Sequence, residues 1–394
     1  MKIASIKIKN YRLFESLEIK DLPAFCVIIG ANGTGKSTLF DIFGFLRDAL
    51  KNNVRQALQV RGGFSEVVTR GKENEDIEIE LKFRMKIVET ERLITYRLTI
   101  GQDKKRPIIR REVLRYKRGE YASPFYFLDF QKGKGYVIAN EENFEQTDEE
   151  LEREEQQLES QDILAIKGLG QFKKFKAASA FRSLIENWHV SDFHISEARG
   201  SKDAFYTEHL SPTGDNMALV AQYIYQNHPD IFETILNKMK ARVPGISQVE
   251  AKETEDGRLI LRFQDQAFKD PFIDRYVSDG TMKMFAYLIL LFDPNPHPLL
   301  CVEEPENQLY PGLLRELAEE FASYADRGGQ VFVSTHSPDF LDAVPIKSIF
   351  WLRKEQGTTK ISRASDSEML RSLVAEGNLP GYLWNHNWFE GVAL

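Results

Sequence analysis

The sequence predicts an α/β protein with a mainly parallel core sheet, an antiparallel β-lobe and a short helical, acidic insert. Three observations carry this. Phe25 to Ile29 is apolar at every position and leads through a glycine-rich loop into a segment with helical apolar spacing. Between Ile77 and Ile100, apolar residues alternate with mostly charged or polar ones. From Thr281 onward, helix-like and strand-like segments alternate, as they do when helices cross over a parallel sheet.

The elements follow in order. Ile3 to Ile8 and Phe14 to Ile19 read as the first two strands, and Phe25 to Ile29 as a third, buried on both faces. From Ser37 to Leu50, the residues Leu39, Ile42, Phe43, Leu46 and Leu50 share one helical stripe. Ile77, Ile79, Leu81, Phe83, Met85 and Ile87 keep period two, as do Ile94, Tyr96, Leu98 and Ile100, so antiparallel strands with one wet face are expected. Further short strands continue to about Val137. Glu141 to Glu159 is strongly acidic, and Leu151 and Leu158 are spaced by one heptad that does not persist. A short exposed helix or a loop is expected there, not a coiled-coil arm. Met217 to Tyr225 and Ile231 to Met239 read as helices, and Leu259 to Phe263 as a strand. Thr281 to Phe292 (helix), Leu299 to Glu303 (strand), Gly312 to Tyr324 (helix), Gln330 to Ser334 and Ser348 to Leu352 (strands) complete the alternation, with a further strand at Lys360 to Ser362. No internal repeat is visible.

At 394 residues, the chain is long enough for one large domain or two ordinary ones. Its 42% hydrophobic and 28% charged residues are those of a soluble globular protein. A net charge of −7 excludes coating of nucleic acid by bulk positive charge and leaves only a local basic face for that purpose. The two cysteines, Cys26 and Cys301, sit in apolar runs, which excludes a disulfide framework and points to a reducing cytoplasm. Met284 to Phe292, the longest apolar stretch of the C-terminal half, is too short to cross a bilayer. Met1 to Asn10 alternates Lys with Ile and lacks the apolar core of a signal peptide, so no membrane partner is expected.

The most specific motif is Gly30-Ala31-Asn32-Gly33-Thr34-Gly35-Lys36-Ser37, a full match to G-x-x-x-x-G-K-[ST], with Thr38 continuing into the helix. It lies between a buried strand and an amphipathic helix, the context that the motif requires. Glycines let backbone N–H groups turn inward around phosphate oxygens, and the helix N-terminus adds a favourable dipole. Lys36 supplies positive charge to the β- and γ-phosphates, and the Ser37 hydroxyl is a ligand for Mg²⁺. ATP and Mg²⁺ are therefore the expected ligands.

A second cluster ends the strand Leu299 to Glu303. Such a site needs an acid at a strand end to hold the Mg²⁺ hydration shell, and Glu303 fits that need. Glu304, one residue further, is the candidate for orienting or deprotonating the attacking water. Taken alone, two acids at a strand end are common in any α/β protein; the glycine loop upstream raises their weight. Val331 to Ser334 is another apolar strand with a polar exit, and His336 beyond it is a candidate for contacting the γ-phosphate or the water.

In order, these stretches resemble the ABC-ATPase heads of the RecF, SMC and OLD-type group, and more narrowly its stand-alone AAA-family ATPases. The resemblance rests on Ile8-Lys9-Asn10-Tyr11-Arg12-Leu13-Phe14, the phosphate loop, Arg61-Gly62-Gly63-Phe64-Ser65-Glu66, Ser278-Asp279-Gly280-Thr281, Glu303 to Pro311 and Ser334-Thr335-His336-Ser337-Pro338. It implies that Ser278, Gly280 and Thr281 belong to a signature loop that binds the γ-phosphate of the nucleotide held by a second subunit. It also implies that Glu303 is the Walker B acid, Glu304 the catalytic glutamate and His336 the switch histidine. Asn307 to Tyr310 matches the D-loop, and Arg12 a basic residue near the nucleotide. Three features depart from the pattern: Glu303 stands where Asp is usual, the signature begins Val277-Ser278-Asp279, and the Q-loop has only Gln59 and Gly62 to Glu66 as candidates. The expected boundaries are 1–70 and 186–394 for the two parts of the ATPase head, 71–139 for the β-lobe and 140–185 for the acidic insert.

The 58 residues of 337–394 are fewer than a typical domain, so effector activity is expected from a partner protein. The resemblance then implies a homodimer or higher oligomer that acts as an ATP-gated switch on that effector, in anti-phage defence. A RecF-like DNA-repair ATPase and a scaffold that holds ATP without turnover are the alternatives. DNA or RNA would meet the basic residues Lys104, Lys105, Arg106, Arg110, Arg111, Arg115, Lys117 and Arg118, or Lys167, Lys173, Lys174 and Lys176. The plainer reading of these is solvated faces that balance the acidic run. His189, Asp192 and His194 read as core or surface residues and not as a metal site.

Overall fold

The computed structural model describes residues 2–87, 90–116, 124–139, 151–191, 193, 195–200, 202–203 and 206–389. Lys117, Arg118, Asp192, His194 and the acidic residues 141–150 lie outside them. In chain order the strands and helices are β1 (Lys2–Tyr11), β2 (Phe14–Ile19), β3 (Phe25–Gly30), α1 (Lys36–Lys51), α2 (Val54–Val60), α3 (Phe64–Val67), β4 (Ile77–Ile87), β5 (Thr90–Asp103), β6 (Arg106–Tyr116), β7 (Phe125–Gln131), β8 (Lys134–Ile138), β9 (Arg153–Gln157), α4 (Ala165–Leu169) and α5 (Lys176–Glu186). They continue with β10 (Trp188–Ser191), α6 (Ile195–Ala198), β11 (Lys202–Asp203), α7 (Met217–Asn227), α8 (Pro229–Arg242), β12 (Ile246–Glu253), β13 (Arg258–Asp265), β14 (Phe272–Ile273), α9 (Asp279–Leu291), β15 (Leu299–Glu303), α10 (Leu314–Asp326), β16 (Gln330–Ser334) and α11 (Pro338–Leu341). The last are β17 (Ile349–Glu355), β18 (Thr358–Arg363), α12 (Glu368–Ala375) and α13 (Pro380–Asn385). The chain forms two compact units: residues up to Trp188 with Lys347–Arg371 and Phe389, and His189–Ile346 with Ser372–Trp388.

In the first unit, an eight-stranded sheet runs β2-β1-β4-β5-β6-β7-β8-β9 with antiparallel neighbours. Period-two alternation is what builds it. Ile77, Ile79, Leu81 and Phe83 of β4 face Ile100, Leu98, Tyr96 and Ile94 of β5 on the apolar side, while on the other face Arg97 pairs with Glu80 and covers it. Phe181 of α5 covers the apolar face, stacked on Phe83 with ring centroids 4.6 Å apart and tilted against Tyr96 at 4.5 Å. A second sheet segment in this unit pairs β3 parallel with β17, and β17 antiparallel with β18. Every residue of β3 is buried, as its unbroken apolar run requires.

The described part of the acidic run corrects one expectation. Residues 153–157 are neither helix nor loop but the edge strand β9, antiparallel to β8. An edge strand that is wet on most of its surface needs no apolar alternation, so its Arg-Glu-Glu-Gln-Gln sequence gives no period-two signal. Charge on such an edge also opposes pairing with foreign strands.

In the second unit, β15 and β16 pair in parallel, Leu299 opposite Gln330 and Glu303 opposite Ser334. Helix α9 is buried at every position from Met282 to Leu291, and α10 buries one amphipathic face. A small sheet, β11-β13-β12 with β14 added on β13, carries α7 and α8 against β12. Among the described residues, no helix is long and apolar enough to cross a membrane.

The β-lobe depends on one buried acid. Glu112 of β6 accepts the N–H groups of Ala165 (2.5 Å) and Ile166 (3.2 Å), capping α4, and the Tyr96 hydroxyl at 3.1 Å. Burial pushes its carboxyl up to about 7, against the downward pull of those three donors. Glu112→Ala leaves buried donors unanswered and is expected to cost about 3 kcal/mol of unfolding free energy. A carboxyl raised in the folded state contributes stability that is complete below its ordinary value of 4.5 and is lost as pH rises through about 7. Thermal unfolding of both proteins should therefore show a wider gap at low pH than above neutrality. A gap that grows with pH would contradict a neutral Glu112.

Candidate nucleotide-binding and catalytic site

The first unit supplies the phosphate loop. It leaves β3 at Gly30 and enters α1 at Lys36, with positive φ at Gly33 (74°) and Gly35 (106°). At Gly30 a Cβ would lie 2.6 Å from Thr34 Oγ1 and 2.7 Å from the Leu352 carbonyl, so no side chain fits where the loop folds against β17. Thr34 closes the turn by donating to the Ala31 carbonyl at 2.8 Å. Lys36 is buried, and its Nζ donates to the carbonyls of Gly30 (2.9 Å) and Ala31 (3.4 Å). No side chain caps the N-terminus of α1, whose cap residue is Gly35. Ser37 and Asn32 are exposed, Ala31 is half-buried and Thr38 is buried. The result is a turn that gathers a positive ammonium and the amide end of a helix around one point, which is the donor set that a polyphosphate needs. The residues present therefore fit ATP, and the exposed Ser37 hydroxyl fits a Mg²⁺ ligand.

Asp41, one turn into α1, organises the surroundings of that loop. Its carboxylate accepts Tyr11 Oη at 2.8 Å and Arg61 Nε at 2.7 Å, and pairs with Arg12 at 3.2 Å. Arg61 also reaches Asp48 (2.8 Å) and the Ala57 carbonyl (2.9 Å). Arg12 adopts φ 47° and donates its own N–H to the Val67 carbonyl at 2.6 Å. Arg12 is thus tied to the phosphate-loop helix by an ion pair, and the Arg61-Gly-Gly stretch anchors to the same carboxylate. Of the Q-loop candidates, Gln59 is exposed on α2 and Gly62 to Glu66 leads into α3.

The second unit supplies the acids. Glu303 ends β15, half-buried. Glu304 turns the chain in the left-handed region (φ 43°), with its N–H on the Ser334 carbonyl at 2.9 Å and the Ser334 hydroxyl at 3.3 Å. Its carboxylate accepts Asn307 Nδ2 at 3.1 Å and lies 3.5 Å from His336 Nε2. The His336 N–H donates to Glu306 Oε1 at 2.6 Å. The structure therefore brings Glu304, Asn307, Glu306 and His336 together from the two loops that follow β15 and β16. Lys283 of α9 donates to the Asn307 carbonyl at 2.8 Å; burial pushes its ammonium down to about 8, against Glu306 and Glu304, which pull it up.

Ser278 is the N-cap of α9, its Oγ accepting the Thr281 N–H at 3.2 Å and meeting Thr281 Oγ1 at 2.9 Å. Arg199 braces this loop through the carbonyls of Asp274 and Val277 (2.8 Å to the latter) and the Asp279 carboxylate. A Cβ on Gly280 would lie 2.7 Å from the Gln308 carbonyl, so the start of α9 packs directly on the loop 304–310. Sequence reasoning missed Asp41, Lys283 and Arg199. Only long-range contacts reveal them, because each lies outside the local motifs.

A glycine loop of this geometry, set between a buried strand and an uncapped helix, defines the fold class as a P-loop ATPase head. Residues 25–342 match the family described as AAA domain, putative AbiEii toxin, Type IV TA system, and the chain belongs to that family. No curated protein matches the chain in sequence. In fold, it is similar to the SMC head bound to the C-terminal winged-helix domain of ScpA, at 15% identity and TM-score 0.56, over 92% of this chain and 97% of that one. It is also similar to an SMC head domain with an extended coiled coil, bound to the C-terminal domain of ScpA derived from Pyrococcus furiosus. That match has 13% identity and TM-score 0.50, over 95% of this chain and 99% of that one. At these identities the likeness is one of fold alone.

Gly280→Ala tests the packing of the signature loop. The added methyl meets a backbone carbonyl, which cannot rotate away, so roughly 1–3 kcal/mol of destabilisation is expected. Thermal unfolding measures the cost, and hydrogen exchange at 306–310 should accelerate. Unchanged exchange there would show that the contact does not hold the loop.

Proposed function

We propose that this protein binds Mg-ATP on Gly30 to Ser37, hydrolyses it, and uses the nucleotide to open and close a head-to-tail homodimer. That switch would control a partner effector protein in anti-phage defence. The observation that carries the reading is Lys36 held within a glycine turn at a helix N-terminus that no side chain caps.

On this reading, Lys36 exchanges its two carbonyls for phosphate oxygens, while Gly30, Ala31, Asn32, Gly33, Thr34, Gly35 and Thr38 shape the turn around them. Ser37 and Glu303 are the residues that would hold Mg²⁺, which would neutralise charge on the phosphates. Glu304 orients the attacking water and takes its proton, and His336, 3.5 Å from Glu304, steadies that carboxylate. Arg12 stays on Asp41 and borders the nucleotide. Ser278, Gly280 and Thr281 of a second subunit complete the cage, so closure and occupancy are coupled.

Two features support closure against a partner. Ser278 and Asp279 are exposed at the N-terminus of α9, and Tyr276 and Tyr310 are 72% and 74% exposed. Large exposed aromatics beside a polar loop are common at contact surfaces. SMC heads have been solved with ScpA domains bound, which supports a protein partner, and the family description names a toxin–antitoxin system, which supports a role in defence. The cysteine usage supports a cytoplasmic setting.

The DNA-repair reading draws less support. Arg110 and Arg111 pair with Asp76 and Asp129, and Lys174 with Glu154, so part of the basic face is already neutralised. A scaffold without turnover is opposed by the grouping of Glu304, Asn307 and His336.

Hydrolysis and solution mass of wild type and Glu304→Gln, with and without Mg-ATP, test the proposal. The variant is expected to lose on the order of 10² or more in turnover and to accumulate as an ATP-bound dimer. Equal turnover would overturn the role of Glu304, and a mass indifferent to ATP in both proteins would overturn the gated dimer.

A further inference from the structure

Apart from the nucleotide site, a second chemically distinctive cluster lies in the second unit. Among the described residues, His209, Asp293 and His297 bring three ligand-type atoms within 4.8 Å of one another. Asp293 follows α9, His297 precedes β15, and His209 comes from the segment ahead of α7, far away in sequence. Asp293 is 3% exposed. Its Oδ1 is committed to the Asn295 N–H at 2.8 Å, which fixes the turn. Its Oδ2 faces the imidazoles, 2.8 Å from His209 Nδ1 and 4.0 Å from His297 Nε2.

The backbone on both sides is pinned. The His297 carbonyl accepts the buried Tyr324 hydroxyl at 2.6 Å. The His209 carbonyl accepts Asn216 Nδ2 at 2.9 Å. The His297 ring lies between those of His189 and His209, with centroids 4.9 and 5.0 Å away. These contacts fix the backbone that carries both imidazoles and pack the His297 ring against its neighbours.

One Asp293 oxygen thus faces two imidazoles, hydrogen-bonded to His209 Nδ1 at 2.8 Å and 4.0 Å from His297 Nε2, a convergence of donors that a metal ion can share. Atoms that share a tetrahedral ion with bonds of about 2.0–2.2 Å lie roughly 3.3–3.5 Å apart. The observed 2.8 and 4.0 Å bracket that spacing, and with all three atoms within 4.8 Å of one another, shifts of up to about 1.5 Å reach it. Two imidazoles and one carboxylate suit Zn²⁺ and its neighbours, whereas Mg²⁺ and Ca²⁺ take oxygen donors. His209 is 38% exposed, which gives an ion a way in.

We propose that His209 Nδ1, Asp293 Oδ2 and His297 Nε2 bind a divalent transition ion of the Zn²⁺ class, with solvent in the fourth position. The ion ties the segment ahead of α7 to the loop that feeds β15, the strand that ends in Glu303. It acts at the opposite end of that strand from the acids, so its effect is on stability and on the placement of β15. This site is independent of the nucleotide reading.

The test is titration of tag-free, full-length protein with Co²⁺ in excess Mg²⁺, which occupies oxygen-only sites. Visible d–d bands of low-symmetry Co²⁺ should grow to one equivalent per chain and be displaced by Zn²⁺. Zn²⁺ should also raise the thermal midpoint, and EDTA should reverse the rise. His209→Ala, a partly exposed position that is expected to fold, should weaken Co²⁺ binding about 10–100-fold and abolish the Zn²⁺-dependent rise; circular dichroism verifies its fold. His297→Ala should do the same. Absence of the bands in wild type, or identical titrations in wild type and folded His209→Ala, would overturn the proposal.

Discussion

A buried ammonium inside a turn of backbone is the constraint on which the first unit depends. Lys36 sits among the carbonyls of Gly30 and Ala31, at the positive end of α1. A buried cation needs partners, and neutral carbonyls are weaker ones than an anion. The turn that holds it exists only because Gly30 lacks a Cβ. β3 must be wholly apolar to carry the turn, and Asp41 must hold Tyr11, Arg12 and Arg61 against the helix that follows it.

The second unit stores its constraint as backbone strain. Glu304 and Gln308 both have positive φ, at 43° and 68°, in a loop that also carries Glu306 and Asn307. Conformations of this kind cost of order 1–3 kcal/mol each and persist only when the surroundings over-determine them. Here the Ser334 carbonyl, the Lys283 ammonium and the close approach of Gly280 do so. The outcome is a fixed start for the Glu304 side chain, whose carboxylate is then held by Asn307 Nδ2 at 3.1 Å.

Much of this was legible in the sequence, and the reason differs by element. β15 and β16 end where the sequence placed them, because an all-apolar run with a polar exit has one reading as a central strand. β4 and β5 were visible through period two. β9 was not, since a wet edge strand obeys no apolar rule. β12 escaped for a related reason: Ile246–Glu253 buries only two of its eight residues. Of the candidate site residues, the glycine-loop motif and the strand-end acids pointed to Gly30 to Ser37, Glu303 and Glu304, and the family resemblance to His336, which the structure places 3.5 Å from Glu304. Asp41, Arg199, Lys283 and the group His209, Asp293 and His297 are assembled by tertiary contacts, and no local pattern announces them. His189, read from the sequence as an ordinary core residue, is indeed buried, with its ring against His297.

The central claim is that the Gly30–Ser37 turn receives the phosphates of ATP. Hydrogen exchange of the full-length protein, with and without a slowly hydrolysed ATP analogue and Mg²⁺, addresses it most directly. The account predicts slower exchange at amides 31–38, where backbone N–H groups gain phosphate partners, and no such slowing in Lys36→Ala. Unchanged exchange at 31–38 in the wild-type protein, at nucleotide concentrations that protect other segments, would contradict it.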